Sequence, residues 1–89
     1  MTTERIIFSG QVQGVGFRYT VRSLVRQHPV RGFVRNLPDG TVEVVAQGNI
    51  GAINALLAEV QEHFRSHIRD CERDTTTLAE VFDGFEIRF

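Results

Sequence analysis

The stretch GFVRNLPDGTVEVVAQG, residues 32–48, constrains the fold more than any other part of the sequence. Pro38, Asp39 and Gly40 form a turn signal, because proline presets φ, aspartate suits the turn and glycine takes the left-handed position. The arm after the turn alternates in polarity, with Val42, Val44 and Ala46 on one face and Thr41, Glu43 and Gln47 on the other. The stretch therefore predicts two antiparallel strands, and Arg35 before the turn is interpreted as a solvated strand residue.

One strand and two helices are indicated around this hairpin. The first strand is predicted by apolar residues at every second position, namely Ile6, Phe8, Gly10 and Val12. A helix follows it with apolar residues at helical spacing, namely Phe17, Val21, Leu24 and Val25. Pro29 is expected to stop this helix soon after His28. Asn49 can cap a second helix, whose apolar stripe is Ile53, Leu56, Leu57, Val60 and Phe64.

The last third of the chain contributes two more strands. HIRDCERDTT, residues 67–76, fits an edge strand whose charges guard against edge-to-edge association. GFEIRF, residues 84–89, alternates apolar and polar residues and predicts a short final strand. The predicted fold is α+β, a ferredoxin-like βαββαβ sandwich in which an antiparallel sheet carries two helices on one face, followed by a short C-terminal strand. Residues 1–89 are expected to form a single domain.

The composition excludes several classes of function. The formal net charge of -1 lacks the excess of positive charge that is typical of nucleic-acid-binding proteins. No apolar run approaches the ~18 residues of a membrane span. All ten basic residues are arginine, which excludes a P-loop lysine and Schiff-base chemistry. Cys71 is the only cysteine, so no internal disulfide can form, and the N-terminus lacks a signal-peptide pattern. We therefore expect a cytoplasmic protein, and a domain of this size favours a monomer.

The stretch GQVQGVGFR joins the first strand to the first helix and predicts an anion site. Gly14 and Gly16 permit positive φ and close approach of an anion to the main chain. The N–H groups of Gly14, Val15, Gly16, Phe17 and Arg18 can point into one concavity, where the helix dipole adds positive charge. The Arg18 guanidinium can add a bidentate contact. From the residues alone, a tight turn with a solvent-facing arginine stays open as an alternative to this phosphate cradle.

These two stretches resemble the two signature motifs of the acylphosphatase family, and GFEIRF resembles the family's ending. The resemblance runs from about residue 5 to residue 60. It implies the ferredoxin-like fold and hydrolysis of acyl phosphates to a carboxylate and inorganic phosphate, without a metal or cofactor. It also implies that Arg18 and Asn36 are the catalytic residues. Gln11 departs from the pattern, because many members carry a basic residue there.

The residues themselves suit this reaction. A departing carboxylate has a conjugate acid with a pKa near that of a glutamate side chain, about 4.3, and needs little protonation. Since no serine–histidine or cysteine–histidine pair lies near the cradle in the sequence, water is the expected nucleophile, and its proton is expected to pass to a substrate oxygen. Asn36 would orient the water, while Arg18 and the loop N–H groups would hold the phosphoryl oxygens.

Two repeated spacings offer further hypotheses. His63, His67 and Cys71 recur every four residues and would share a face that could ligate zinc if the second helix continued through them. The charged run after Phe64 argues against that continuation, and Cys71 is interpreted as a plain thiol. Arginines also recur every four residues along the first helix, either as a basic stripe facing an anionic partner or as a solvated face; they are Arg18, Arg22 and Arg26.

Two alternatives concern the whole domain. The βαββαβ plan is shared with RNA-recognition domains, and the residues from Arg31 to Val34 faintly echo their aromatic motif, although the required aromatic residues do not follow. A non-catalytic phosphate-binding module is the other alternative, because acylphosphatase-like domains also occur at the start of larger carbamoyl-transfer maturation proteins.

Overall fold

Five strands and two helices follow one another in the predicted order in the computed structural model, which describes residues 1–77 and 80–89. They are β1 (Thr2–Gly10), α1 (Phe17–Val25), β2 (Val30–Asn36), β3 (Val42–Gly48), α2 (Ile50–His63), β4 (Ile68–Thr75) and β5 (Phe85–Arg88). The strands form one sheet in the order β4-β1-β3-β2-β5. The first four strands pair antiparallel, and β5 adds to the edge parallel to β2. The predicted α+β, ferredoxin-like plan is confirmed, with β4 at the edge as expected.

One face of the sheet packs against both helices. β1 buries Ile6 and Phe8 there, opposite apolar residues of α1 and α2. Phe17, the first residue of α1, packs between two other rings, with its centroid 5.1 Å from that of Phe8 and 4.6 Å from that of Phe64. Burying a phenylalanine of this kind contributes about 1.5–3 kcal/mol. The start of α1 is therefore fixed to the core directly after the glycine loop.

The two helices end by different means. α1 stops at Val25, earlier than predicted, and the chain continues in a tighter turn in which the His28 N–H donates to the Val25 carbonyl over 2.9 Å. Pro29 disfavours helical backbone at His28, so no helix can continue beyond this turn. At the start of α2 the predicted cap is confirmed, because the Asn49 side chain accepts a hydrogen bond of 2.8 Å from the Gly51 N–H. No helix among the described residues is long and apolar enough to cross a membrane.

The predicted hairpin is confirmed between β2 and β3. Asn36 pairs with Val42 at its closed end, and the Leu37 N–H donates to the Thr41 carbonyl over 2.9 Å. Asp39 stiffens the turn by accepting hydrogen bonds from the hydroxyl and the N–H of Thr41, over 2.6 and 3.0 Å. These bonds, the hydroxyl first, lower the pKa of the Asp39 carboxyl from its usual value.

The second face of the sheet is buried at its centre, contrary to the expectation from alternating polarity. Glu43 and Gln47 are only 3% exposed, and Val45 between them is buried too. Glu43 is held by ion pairs with Arg5 and Arg35 on the neighbouring strands, so its burial is compensated by charge. The interpretation of Arg35 as a merely solvated residue is corrected, because it is half-exposed and pairs with a buried carboxylate.

The segment before β5 covers the middle of this second face. Phe82 packs edge-on against Phe33, with 5.8 Å between ring centroids, and joins Val45 in a small apolar cluster. Its N–H donates to the Gln47 side chain over 3.1 Å. The Arg88 guanidinium lies 4.1 Å from the Phe33 ring centroid and covers a further part of this second sheet face.

Phe82→Ala should lower the free energy of unfolding by about 3 kcal/mol, because it removes a buried ring and leaves a cavity over β2 and β3. Urea denaturation followed by circular dichroism measures this change. Val81→Ala is the matched control, since Val81 is 68% exposed and should change the free energy by less than about 0.5 kcal/mol. Equal stability of the two variants would show that the segment does not support the sheet.

Candidate active site

The loop between β1 and α1 has the backbone that its glycines predict. Gly14 and Gly16 adopt φ angles of 78° and 79°, in the left-handed region. A Cβ atom built on either glycine would meet nothing within 4 Å, so glycine is required here by the backbone angle and not by lack of space. The loop is therefore open on the side of its two glycines.

The N-terminus of α1 presents unused hydrogen-bond donors. Gly16 is the residue before the helix, and no side chain caps it. The first helical bond runs from the Thr20 N–H to the Gly16 carbonyl over 3.0 Å. Among the described residues, no group accepts a hydrogen bond from the N–H groups of residues 14–18. These donors stand at the positive end of the helix dipole, where an anion can bind.

Arg18 lies in the first turn of α1 and is half-buried. Its guanidinium carbon lies 5.0 Å from the ring centroid of Phe89, which is itself 93% exposed and follows β5. No carboxylate in the described part of the chain forms an ion pair with Arg18. A positively charged side chain without a carboxylate partner in the described residues therefore extends from the same helix turn that carries the unused N–H groups.

Asn36 is the last residue of β2 and is half-buried. Within the described residues its side-chain amide takes no part in a hydrogen bond, although the nearby residues Leu37, Asp39 and Thr41 do. An amide of this kind can donate to one group and accept from another. It is thus available to hold a water molecule.

Gln13 connects the glycine loop to the strand end that bears Asn36. Its side-chain amide nitrogen donates two hydrogen bonds, one of 2.8 Å to the carbonyl of Leu37 and one of 2.9 Å to that of Thr41. Leu37 directly follows Asn36, so the structure brings the two motifs together at this bridge. The sequence analysis missed Gln13, because a single glutamine in a loop has no periodicity and its partners lie more than twenty residues away.

A second anchor holds the other side of the loop. The Gln11 N–H donates to the carbonyl of His67 over 2.9 Å, just before β4 begins. Phe17 fixes the far end of the loop in the core. The loop is therefore attached at three points while its glycines stay open, which is the preorganisation that an anion site needs.

Gln13→Ala should lower kcat/KM about tenfold or more for the acyl phosphate hydrolysis that the resemblance implies, because the loop loses its attachment to the hairpin. Stopped assays of phosphate release measure the effect, and urea denaturation should show a smaller change, of about 1–2 kcal/mol. Gln11→Ala is the matched control, since only its backbone N–H holds the loop and its side chain is exposed. Gln13→Glu should also be impaired, because a carboxylate lacks the N–H groups that donate to the two carbonyls. If both Gln13 variants kept activity within twofold of the parent, the side chain of Gln13 would not be needed to position the loop.

The residues of the zinc hypothesis lie on separate elements. α2 ends at His63, and Cys71 lies on β4, so the continuous helix that the hypothesis required is not formed. Among the described residues no three histidine, cysteine or acidic side chains are grouped as metal ligands. Burial raises the pKa of the Cys71 thiol, with Arg73 opposing the shift, so the thiol is protonated at neutral pH.

This chain is similar to known proteins in both sequence and overall structure. The model of the family described as Acylphosphatase matches residues 4–87. A protein of Bacillus licheniformis named acylphosphatase is 38% identical over 90 residues, which cover all of both chains. The crystal structure of acylphosphatase from Bacillus subtilis is similar over all of both chains, with a TM-score of 0.87 and 31% identity. The structure of T. kodakarensis HypF is similar over all of this chain and 12% of its own, with a TM-score of 0.88 and 27% identity. The chain belongs to the acylphosphatase family.

Proposed function

We propose that this protein is an acylphosphatase that hydrolyses the carboxyl-phosphate bond of acyl phosphates to a carboxylate and inorganic phosphate. The observation that supports it most is the Gln13 bridge, which holds the glycine loop with its unused N–H groups against the strand end that bears Asn36. Arg18 stands at the start of the adjoining helix without a carboxylate partner in the described part of the chain.

The phosphoryl group binds in the loop. The N–H groups of Gly14, Val15, Gly16, Phe17 and Arg18 donate to its oxygens, and the helix dipole favours its negative charge. The Arg18 guanidinium adds two parallel donors, whose geometry matches two phosphoryl oxygens. Because these groups are held in place before the substrate arrives, they stabilise the charge that develops on the equatorial oxygens in the transition state.

Water is the nucleophile, and Asn36 positions it. The amide of Asn36 orients a water molecule in line with the acyl oxygen, so that a bond forms between the water oxygen and phosphorus. The phosphorus–oxygen bond to the acyl group breaks, and its electron pair leaves with the carboxylate. Since Asn36 cannot accept a proton at neutral pH, the proton of the water passes to a phosphoryl oxygen.

A general acid is unnecessary for this leaving group. The carboxylate is stable as an anion at neutral pH, because its conjugate acid has a pKa of about 4. The donor set of the loop consists of N–H groups and a guanidinium, which bind anions and offer no ligand to a cation. We therefore propose a reaction that needs no metal ion or cofactor.

The partners follow from the same site. We propose that small acyl phosphates and inorganic phosphate are the ligands. We also propose that residues 1–89 form one domain and that the protein is a monomer in the cytoplasm. Nucleic acid is not a proposed partner, since the sheet face that RNA-recognition domains use is covered by Phe82 at its centre. Two of the arginines on that face, Arg5 and Arg35, are engaged by Glu43.

Hydrolysis of benzoyl phosphate, followed by its loss of ultraviolet absorbance, tests the proposal. We expect turnover by the parent protein in the presence of a chelator, and no increase when magnesium is added. A folded protein without turnover would instead be a phosphate-binding module, and dependence on a metal would contradict the mechanism. A salt-sensitive shift of single-stranded RNA on a gel would favour the RNA-binding alternative.

A further inference from the structure

Glu43 is a buried charged residue that the proposed mechanism does not use. It is only 3% exposed, and each of its carboxylate oxygens accepts a hydrogen bond from an arginine. Oε1 accepts from the Nε of Arg35 over 2.5 Å, and Oε2 accepts from the Nε of Arg5. Among the described residues, Glu43 is the only carboxylate that pairs with more than one arginine. Desolvation of buried charges offsets much of what their attraction contributes, so stability is a weak reason for this cluster.

The cluster joins the two strands that carry the site residues. β1 leads into the glycine loop and β2 ends at Asn36, but β3 lies between them in the sheet. Glu43 of β3 lies directly opposite Arg35 of β2. On its other side Glu43 lies opposite Ile7 of β1, and Arg5 reaches it diagonally. One carboxylate therefore connects β1 to β2 across the strand that separates them.

Arg35 directly precedes Asn36, and the two side chains lie on opposite faces of the sheet. Asn36 shares its face with Val34, which belongs to the core beneath the helices, because side chains alternate along a strand. β5 pairs with β2 only as far as Arg35, so Asn36 has its ladder partner, Val42, on one side only. Holding Arg35 on the second face therefore restrains Asn36 on the helix side of the sheet.

We propose that Glu43 is a positioning residue, which acts through Arg5 and Arg35 to set the place of Asn36 relative to the glycine loop. This inference rests on the proposed function, because it requires that Asn36 orients the attacking water. The Gln13 bridge attaches the loop to the turn after Asn36, whereas Glu43 holds the strand before it. Precise placement matters here, since a displacement of about 1 Å can lower a rate about a hundredfold.

Glu43→Gln tests the positioning role, because it keeps the shape of the side chain and removes its charge. We expect kcat for benzoyl phosphate to fall about tenfold. The KM and the inhibition constant of inorganic phosphate should change little, since the loop that binds the phosphoryl group is intact. Arg35→Gln removes only the connection to β2, at a half-exposed position, and should lower kcat in the same way. It supplies the same measurement if the Glu43 variant does not fold.

A double-variant cycle separates positioning from a general loss of structure. In the Asn36→Ala background no amide remains to be positioned, so adding Glu43→Gln should leave kcat unchanged within about twofold. Glu4→Gln is the matched control, since Glu4 is a second buried carboxylate, 7% exposed, that pairs with Arg73 near the start of β1. It should lower the melting temperature, as Glu43→Gln does, and still keep the kcat of the parent.

Three results would contradict the positioning role and leave the proposed function intact. The first is a kcat like that of the parent in folded Glu43→Gln and Arg35→Gln proteins. The second is an equal loss from Glu43→Gln with and without Asn36. The third is a similar loss in Glu4→Gln, because destabilisation would then be the cause. A parent that does not hydrolyse benzoyl phosphate would overturn the proposed function, and this inference with it.

Discussion

Arg18→Ala should lower kcat/KM for benzoyl phosphate at least about a thousandfold while the protein stays folded. Loss of one preorganised donor to a developing anion typically lowers the rate 10²–10³-fold, and Arg18 supplies two donors and a full charge. Arg18 is half-buried, and no carboxylate among the described residues pairs with it. The variant therefore leaves only the N–H groups of the loop to bind the phosphoryl group. Continuous assays at substrate concentrations around KM measure both parameters.

Further Arg18 measurements separate a binding role from a structural one. Inorganic phosphate should inhibit the parent competitively and should inhibit Arg18→Ala far less. Arg18→Lys keeps the positive charge but lacks the two parallel N–H donors of the guanidinium, and it should recover only part of the lost rate. Arg65→Ala is the charge-matched control, since Arg65 is an exposed arginine paired with Glu62. Full activity in a folded Arg18→Ala protein would show that the glycine loop is only a turn.

Asn36→Ala should lower kcat about a hundredfold and change KM little. The reason is that Asn36 orients the attacking water, whereas the loop binds the phosphoryl group in both the ground state and the transition state. Steady-state kinetics with benzoyl phosphate measure the two parameters separately.

Two companion variants make the Asn36 result specific. Asn36→Asp has almost the same shape but loses the N–H donors and places a negative charge near the phosphate, so it should be as inactive as the alanine variant or more so. Asn54→Ala should retain full activity, because Asn54 lies on α2 and its side chain bonds only to Arg73 among the described residues. If Asn36→Ala raised KM and left kcat unchanged, Asn36 would be a substrate-binding residue and the water-orienting role would be wrong.

The elements with periodic burial could be predicted from the sequence. Phe8 of β1 and Phe17 of α1 face the same core, because strand and helix each repeat apolar residues at their own spacing. The turn at Asp39 was equally predictable, since its residues suit only a few backbone conformations. The positive φ of Gly14 and Gly16 followed from the same local chemistry.

Features that depend on distant partners could not be predicted. Glu43 looks like a solvent-facing residue until the two flanking strands bring Arg5 and Arg35 to it. The role of Gln13 is likewise visible only in the folded structure, where its side chain donates to two carbonyls of the hairpin. Periodicity describes which side of an element faces inward, but it contains no information on which polar groups will meet across the sheet.

The place of β1 between β3 and β4 in the sheet has a consequence for the speed of folding. Its first residues pair with the end of β3, Thr2 with Gly48, and with the end of β4, Glu4 with Thr75. The chain must lose the entropy of long loops before either pairing can stabilise it. Folds rich in such distant contacts therefore reach the native state slowly, in roughly milliseconds to seconds. Stopped-flow refolding should show this timescale. The glycine loop is also held by the His67 carbonyl, which lies directly before β4. A chain that is still being synthesised therefore cannot complete its active site before β4 begins to form.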